Sequence, residues 1–351
     1  RHIMYTYKNN LIIKEKAVMP MLSRRSFLAM PSAAPLGLGH APAVDSCPQF
    51  FSPLPVTASA PPLIASATPS ATVSALPRLG LGTCCDEPEE AREQVLGALD
   101  AGYRLIDTAA HYPSEMAVGD AIATAFESGT LRSKEDLTVC TKIWFDEMGY
   151  EPALASIQRS LHRLRLDQLG VLLIHFPGAP DAVQDPKRNR RLREDTWRAC
   201  ERALEEGLTR RIGVSNWSPR HLRETLASCR LPPQILQTEI HPRLQQRTLR
   251  EDCVRANIHV MAHCPLAHGS RSLLLEPTLK RIGADKGLTA AQVALRWSVQ
   301  SGMTPVPRGG TAERIRENLG ALDFTLSAEE MRAVDALDAD DRVSFDPKLI
   351  A

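Results

Sequence analysis

The chain has 351 residues, a length that suits one large domain or two ordinary ones. Its 42 Lys and Arg residues balance 41 Asp and Glu residues, so the net charge of +1 gives no bulk attraction to nucleic acid or to an anionic membrane. With 43% hydrophobic and 24% charged residues, the composition excludes a collagen-like or largely disordered chain. No apolar run is long enough to predict a membrane span. The 8 Cys include no C-x-x-C pair, so we predict no metal site and expect reduced, mostly buried thiols.

Residues 1–74 differ in composition from the rest of the chain. Asp45 is the only acidic residue over 17–85, and Ala, Ser, Thr and Pro predominate over 51–79. Such a segment buries too little apolar surface to offset its chain entropy. We therefore predict a disordered leader over residues 1–74 and a single folded domain over residues 75–351.

The leader has features of a targeting segment. Ser23–Leu28 reads SRRSFL and resembles a twin-arginine export signal. The scarcity of acidic residues and the abundance of Ser and Ala are instead typical of an organelle transit peptide. A third interpretation is an extension without function. Cytoplasm, organelle and export all stay open as locations.

From Leu76 onward, short apolar runs alternate with amphipathic stretches, which indicates alternating strands and helices. Leu169–Ile174 is almost continuously apolar, as expected of a parallel strand covered on both faces. Thr289 with Gln292 and Ser327 with Glu330 each fit a capping box at a helix start. The expected strands are Arg78–Thr83, Tyr103–Asp107, Leu137–Thr141, Gly170–His175, Arg211–Val214, Ile235–Glu239, His259–His263 and Thr304–Val306.

Strands each followed by a helix, over roughly 250 residues, predict an α/β fold of the closed (β/α)8 TIM-barrel class. The alternative is a doubly wound open sheet, which usually carries a Gly-rich turn after its first strand. Here Gly80-Leu81-Gly82 is followed by Cys85 where a third glycine would stand. In such barrels the chemistry gathers at the carboxyl ends of the strands.

Polar side chains stand at several of those predicted ends. Asp107, Lys142 and His175 each end a strand, and Tyr112 follows Asp107 in the next loop. Tyrosine has a pKa of about 10, and a nearby ammonium group should lower it toward the range of a useful acid. A carboxylate would keep the ammonium charged, and a histidine could donate to a substrate carbonyl. This combination suits hydride addition to a carbonyl carbon with protonation of its oxygen.

These segments resemble the aldo-keto reductase superfamily, whose catalytic tetrad is Asp, Tyr, Lys and His. Gly102–Glu115 is similar to the family signature GYRxIDTAxxYxNE, with Ser114 where the family usually has Asn. The resemblance runs from about Leu76 to the C-terminus. It implies a tetrad of Asp107, Tyr112, Lys142 and His175, with Tyr112 as the general acid.

The resemblance also implies NADPH/NADP+ as the cofactor, bound without a Rossmann domain. Ile212–Trp217 is similar to the family's IGVSNF segment, Leu236–Pro242 to NQxExHP, and Pro307–Asn318 to IPKSxxxxRIxEN. It assigns Ser215, Asn216 and Gln237 to the nicotinamide carboxamide, Arg308 and Arg314 to the 2′-phosphate, and Glu317 and Asn318 to the adenine. The other expected cofactor residues are Thr83, Asp107, His263, Pro265, Leu266, Gly309 and Thr311.

Three further positions depart from the family pattern. Arg308 replaces the usual Lys and can grip a phosphate with two hydrogen bonds, whereas Gly309 replaces Ser and loses a hydroxyl. His263 stands where the family has a Tyr that stacks on the nicotinamide. Its smaller ring could stack there, and the alternative is a core residue with its hydrogen bonds satisfied.

By the same resemblance, Trp144, His175 and Phe176 line the substrate pocket, with a contribution from Trp217. An apolar, partly aromatic pocket suits small aldehydes and ketones. The basic run Lys187–Arg193 is expected in a long solvated loop, with attraction of anionic substrates as the alternative. The short C-terminal stretch predicts a small cover over the pocket.

The sequence therefore predicts a monomeric, NADPH-dependent reductase of aldehydes or ketones. Two other functions stay open. One is a reductase-like NADPH-binding regulatory subunit with little turnover. The other is a barrel aldolase with Lys142 as the Schiff-base nucleophile, which Asp107 and Tyr112 make a poor fit.

Overall fold

Eight parallel strands in sequence order form one sheet in the computed structural model, which describes residues 76–179 and 184–351. The predicted leader over residues 1–74 and its targeting motif lie outside the described residues, so both stay predictions. The strands are β1 (Leu81–Gly82), β2 (Leu105–Asp107), β3 (Thr138–Ile143), β4 (Val171–Ile174), β5 (Ile212–Ser215), β6 (Ile235–Glu239), β7 (His259–His263) and β8 (Thr304–Pro305).

The sheet closes on itself between β8 and β1. The amide of Gly80 donates to the carbonyl of Pro305 at 3.0 Å, and that of Gly82 donates to Pro307 at 2.9 Å. A Cβ at position 82 would lie 2.8 Å from the carbonyl oxygen of Val306, so glycine permits this close approach. The predicted (β/α)8 barrel is confirmed.

Helices surround the barrel. They are α1 (Pro88–Ala101), α2 (Glu115–Glu127), α3 (Tyr150–Leu164), α4 (Pro186–Glu205), α5 (Pro219–Ser228), α6 (Arg247–Arg255), α7 (Arg271–Leu274), α8 (Pro277–Lys286), α9 (Ala290–Gln300), α10 (Ala312–Leu319) and α11 (Ala328–Asp335). Both predicted capping boxes are confirmed, at the starts of α9 and α11. None of the helices in the described ranges is long and apolar enough to cross a membrane.

The basic run predicted in a loop lies in the first turns of α4, so that prediction was wrong. The side chain of Asp185 accepts from the amide of Arg188, and Pro186 occupies the first turn. An acidic cap followed by proline favours a helix start and outweighs the repulsion among the basic side chains. Arg193 within this run is buried and donates to the carbonyl of Pro177 at 2.8 Å.

Side chains alternate between the barrel interior and the surrounding helices, as the two-residue period of a strand requires. An apolar layer fills the interior, and on several strands the next inward-facing residue toward the carboxyl end is polar. Thus Leu105 is followed by Asp107 on β2, and Cys140 by Lys142 on β3. The apolar layer consists of Leu105, Cys140, Val171, Leu173, Ile235, Met261 and Val306. The polar layer above it consists of Asp107, Lys142, His175, Ser215, Gln237 and His263.

Candidate active site

A buried ion pair occupies the centre of the polar layer. The Nζ of Lys142 lies 2.8 Å from Oδ2 of Asp107 and also donates to the carbonyl of Thr108 at 2.8 Å. The amide of Gln237 donates to Oδ1 of the same carboxylate at 2.7 Å. Asp107 and Lys142 are 5% and 2% exposed, so water screens their attraction little. Gln237, expected at the carboxamide, therefore also orients Asp107.

Tyr112 joins this pair from the loop after β2. The Nζ of Lys142 lies 5.5 Å from the centre of the phenol ring, and the ring of His175 meets that phenol edge-on at 5.8 Å. All four predicted catalytic side chains thus converge at one end of the barrel.

The structure does not show the lowered pKa that was expected for Tyr112 beside Lys142. Burial, followed by the neighbouring Cys84 and Asp107, raises the pKa of Tyr112 well above its usual value. The carboxylate of Asp107, 2.8 Å from the ammonium group of Lys142, offsets much of the effect of that positive charge on the phenol. Tyr112 therefore stays protonated at neutral pH and holds the proton that an acid must deliver.

His175 is neutral in this environment. Burial, followed by the charge of Lys142, lowers the pKa of His175 well below its usual value. The buried Nδ1 of His175 has no hydrogen-bond partner among the described residues. A neutral imidazole carries one N–H, which suits donation to a carbonyl oxygen.

Asn216 links β5 to β7 through a short hydrogen-bond chain. Its amide nitrogen donates to the carbonyl of His175 at 2.9 Å, so its Oδ1 is the acceptor for Nε2 of His263 at 2.9 Å. Burial lowers the pKa of His263 to about 4. His263 is therefore neutral with its proton on Nε2. These contacts occupy the side chain of Asn216. It therefore positions His175 and His263, in addition to its expected role at the carboxamide.

Aromatic side chains form one wall beside the four residues. Trp144 contacts the ring of His175 at 4.8 Å and that of Phe176 at 5.6 Å, while His111 stacks on Trp144 at 4.1 Å. Phe345 meets Phe176 at 5.9 Å. Trp144 and Phe176 thus lie where the substrate prediction requires, and the sequence analysis missed His111 and Phe345.

Trp217 does not belong to this wall, so its assignment to the substrate pocket is corrected. The side chain is 1% exposed, and its indole N–H donates to the hydroxyl of Thr225 on α5 at 3.0 Å. The preceding Asn216 has a φ of 62°, which reverses the chain direction at the end of β5. That reversal directs Trp217 into the core between strand and helix.

Glu239 at the end of β6 holds the C-terminal segment that carries Phe345. Its carboxylate accepts from the amide of Val343 at 2.7 Å and from the amide of Ser344 at 3.0 Å. Arg342 pairs with the same carboxylate at 3.4 Å. Burial alone would raise the pKa of Glu239, but hydrogen bonds from His241 and Ser344 outweigh it and lower the pKa to about 2. Glu239 was expected only as the last residue of a predicted strand, with no role of its own.

The predicted phosphate-binding segment follows β8, across the barrel mouth from the aromatic wall that follows β3 and β4. Arg308 pairs with the buried carboxylate of Asp86 and lies 3.3 Å from that of Glu90. Its guanidinium is therefore already partnered, which the sequence did not predict. Arg314 is exposed at the start of α10, where Thr311 caps the helix by accepting from the Arg314 amide.

Glycine at position 309 has a packing reason. A Cβ there would lie 2.5 Å from Cγ1 of Ile315 and 3.1 Å from Cδ1 of Leu81. The serine expected from the family pattern would thus require these side chains to move.

The remaining predicted cofactor residues lie around the same mouth. Thr83 is buried, and its hydroxyl donates to the carbonyl of Asp107 at 3.2 Å. Glu317 accepts from the hydroxyl of Thr289 at 2.6 Å, so in this structure it ties α10 to the cap of α9. Pro265 and Asn318 are buried and Leu266 is half-buried.

The donor set fits a nicotinamide dinucleotide phosphate. The Ser215 hydroxyl and the Gln237 amide can pair with a carboxamide, and the exposed guanidinium of Arg314 can pair with a phosphate. Gly310, at a φ of 77°, lies in the turn that leads into α10, and its amide donates to Oε1 of Gln94 at 2.8 Å.

The chain matches the family model described as Aldo/keto reductase family over residues 78–339. It is 40% identical over 274 residues to the 9,11-endoperoxide prostaglandin H2 reductase of Trypanosoma cruzi, covering 78% of this chain and 91% of that protein. It is also 40% identical over 273 residues to the glyoxal reductase of Bacillus subtilis, covering 78% and 92% of the two chains.

A solved structure shows the same fold. The aldo-keto reductase of Bombyx mori in complex with NADP superposes with a TM-score of 0.70 at 33% identity, covering 76% of this chain and 91% of that one. The family uses NADP(H). The matched family model, the relatives and the barrel with its converging polar layer agree. This chain belongs to the aldo-keto reductase family of oxidoreductases.

Proposed function

We propose that this protein reduces a small aldehyde or ketone to the alcohol with NADPH, and that Tyr112 is the proton donor. The observation that carries the proposal is the preformed Asp107–Lys142 ion pair beside the protonated Tyr112 and the neutral His175. The matched names support it, since the Bacillus subtilis relative is called a glyoxal reductase and glyoxal is a small aldehyde.

NADPH, when bound, supplies the hydride. The chain's own residues then act on the carbonyl oxygen. His175 donates a hydrogen bond that orients the oxygen, and Tyr112 transfers its proton as negative charge develops there. Lys142 stabilises the resulting phenolate, and Asp107 holds the ammonium in place through its 2.8 Å contact. A raised pKa in the resting site is compatible with this role because a developing alkoxide is a far stronger base than water.

The aromatic wall sets the class of substrate. Trp144, Phe176 and Phe345 surround the carbonyl position with apolar rings, which favours compact carbonyl compounds with an apolar or planar body. Ser215 and Gln237 would hold the carboxamide, and Arg314 with Arg308 would hold the 2′-phosphate. The monomeric state and the location stay predictions.

The test is oxidation of NADPH by the purified protein with a panel of aldehydes and ketones that includes glyoxal, followed by NADPH absorbance. Carbonyl-dependent oxidation, with the alcohol as product, is the expected result. Tight NADPH binding with no turnover on any panel member would contradict the proposal and favour the regulatory-subunit alternative.

A further inference from the structure

Two adjacent thiols lie at the end of β1, beside the proposed proton donor. Four of the seven described cysteines, Cys84, Cys85, Cys229 and Cys264, are only partly buried, which corrects the expectation of mostly buried thiols. The Sγ atoms of Cys84 and Cys85 are 3.0 Å apart. The barrel closure and the catalytic chemistry described above use neither sulfur.

A tight turn holds the two thiols together. The amide of Asp86 donates to the carbonyl of Thr83 at 3.5 Å, which places Cys84 and Cys85 at the centre of a four-residue turn. Cys85 has a φ of 65°, a conformation that few residues other than glycine adopt. Both ends of the turn are held in place. The hydroxyl of Thr83 donates to the carbonyl of Asp107, and the carboxylate of Asp86 pairs with Arg308.

The surroundings shift the pKa values of the two thiols in opposite directions. A hydrogen bond from Cys84, opposed by burial and assisted by the nearby charge of Arg308, lowers the pKa of Cys85 below its usual value. The same pairing, together with burial, raises the pKa of Cys84. Cys85 is thus the nucleophile, and Cys84 is a thiol held in contact with it.

We propose that Cys84 and Cys85 form a reversible oxidation site, in which a peroxide converts the two thiols to a vicinal disulfide next to Tyr112. The Cys85 thiolate attacks the terminal peroxide oxygen, the O–O bond breaks, and a sulfenic acid and an alcohol or water are formed. The Cys84 sulfur then attacks the sulfenic sulfur, an S–S bond forms, and water leaves. The two thiols lose two electrons in total, and the peroxide gains them.

Reversibility follows from adjacency in the chain. Neighbouring Cα atoms are about 3.8 Å apart across a trans peptide, closer than in most protein disulfides. A disulfide closed over so short a span is easily reduced by a dithiol, as regulatory disulfides are.

The site communicates with Tyr112. The neighbouring Cys84 thiol contributes to the raised pKa of the Tyr112 phenol. Closing the disulfide draws the Cys84 sulfur toward Cys85 and removes its proton. We expect the oxidised protein to reduce carbonyls at a lower rate and to recover when a dithiol is added; this part rests on the proposed function.

The experiment uses the full chain, treated with one equivalent of hydrogen peroxide, then alkylated and digested with trypsin. Leu79–Arg92 is a single tryptic peptide that contains Cys84 and Cys85 and no other cysteine. The expected result is a loss of two hydrogen atoms from this peptide, reversed by a dithiol. The Cys85→Ser variant should show no such loss and should keep its carbonyl-reducing rate through the treatment.

Other outcomes overturn the site. An unchanged peptide, an irreversible gain of two oxygens, or a cross-link between Leu79–Arg92 and the peptide that carries Cys264 would each do so. Cys264→Ser is the matched control, and it should leave the mass change intact. If the disulfide forms but the rate does not change, the link to Tyr112 is wrong while the modification site stands. The mass readout needs no turnover, so a failed reductase assay would not affect it.

Discussion

The two sides of the barrel mouth differ in how ready they are for a ligand. On one side Lys142 and Gln237 each donate to the carboxylate of Asp107 within 2.8 Å, and all three side chains are buried. On the other side Arg308 is partnered by Asp86 and Glu90, while Arg314 is exposed on α10. Proton transfer thus uses contacts that already exist. To bind a phosphate, in contrast, Arg308 would have to exchange its carboxylate partners for the phosphate.

This difference has a physical consequence. Groups that are already oriented reorganise little during a reaction, which favours catalysis. A guanidinium that must leave a carboxylate gains less from a phosphate than a free one would, so Arg308 should add less binding energy than Arg314.

The largest effect should come from Tyr112→Phe. Removing the phenol oxygen deletes the proton donor but leaves the ring, so the rate should fall by about 10²–10⁴-fold, while NADPH affinity is kept. Steady-state rates and NADPH titration would measure the two quantities. Tyr150→Phe on α3 is the matched control and should change neither. A Tyr112→Phe protein that turns over normally would remove Tyr112 from the proposed mechanism.

Lys142→Met tests the buried pair through stability. Deleting one partner leaves the Asp107 carboxylate buried without its cation, which costs about 3 kcal/mol in the free energy of unfolding. Denaturant unfolding measures this loss. Lys286→Met is the control, because Lys286 and Glu330 form a more exposed pair at 3.1 Å, and pairs at the surface contribute at most about 1 kcal/mol. Equal losses in the two variants would show that the central pair is not specially stabilising.

Periodicity explains why much of the catalytic side could be predicted. Once a residue such as Leu105 is assigned to the interior, the residue two positions later, Asp107, must face the same interior one layer higher. The same step leads from Cys140 to Lys142 and from Leu173 to His175. These are local relations, and a strand pattern is enough to reveal them.

The contacts that sequence reasoning missed join residues far apart in the chain. Arg308 and Asp86 are separated by 222 positions, and Glu239 and Ser344 by 105. No local pattern reports such a pairing, since each residue alone reads as an ordinary charged or polar group. Trp217 was misplaced for a local reason: the prediction relied on its position directly after Ser215 and Asn216, and the positive φ of Asn216 turns the chain away at that point.

Arg314→Ala tests the phosphate side. Loss of a charge-assisted hydrogen bond of about 1.5–3 kcal/mol should raise the KM for NADPH at least about tenfold and leave the KM for NADH nearly unchanged. Arg316→Ala, an exposed arginine on the same helix, is the control. Equal increases for both cofactors would contradict a role for Arg314 at the 2′-phosphate.

The smallest effect concerns His263 and pH. Its pKa in the folded protein is about 4, below the ordinary value near 6.5 for an unfolded histidine. Between these values the unfolded chain binds a proton that the folded chain does not, so stability is full above about pH 6.5 and falls as the pH drops toward 4.

His263→Tyr should therefore lose less stability than the parent protein between about pH 7 and pH 5, by at most about 1.4 kcal/mol per pH unit. Denaturant unfolding at the two pH values measures this difference. His162→Gln, at an exposed position on α3, is the control. An identical pH dependence in His263→Tyr and the parent would show that His263 is not held neutral by the fold.

The most direct test of the whole account is a crystal structure of the protein with NADP+ bound. We predict that the nicotinamide lies against the polar layer, and that the ring carbon which carries the hydride in NADPH faces a carbonyl position about 3–3.5 Å away beside Tyr112 and His175. The Asp107–Lys142 contact should stay as it is, and Arg308 should turn from Asp86 to the 2′-phosphate. A dinucleotide bound elsewhere, or a nicotinamide remote from Tyr112, would contradict the account.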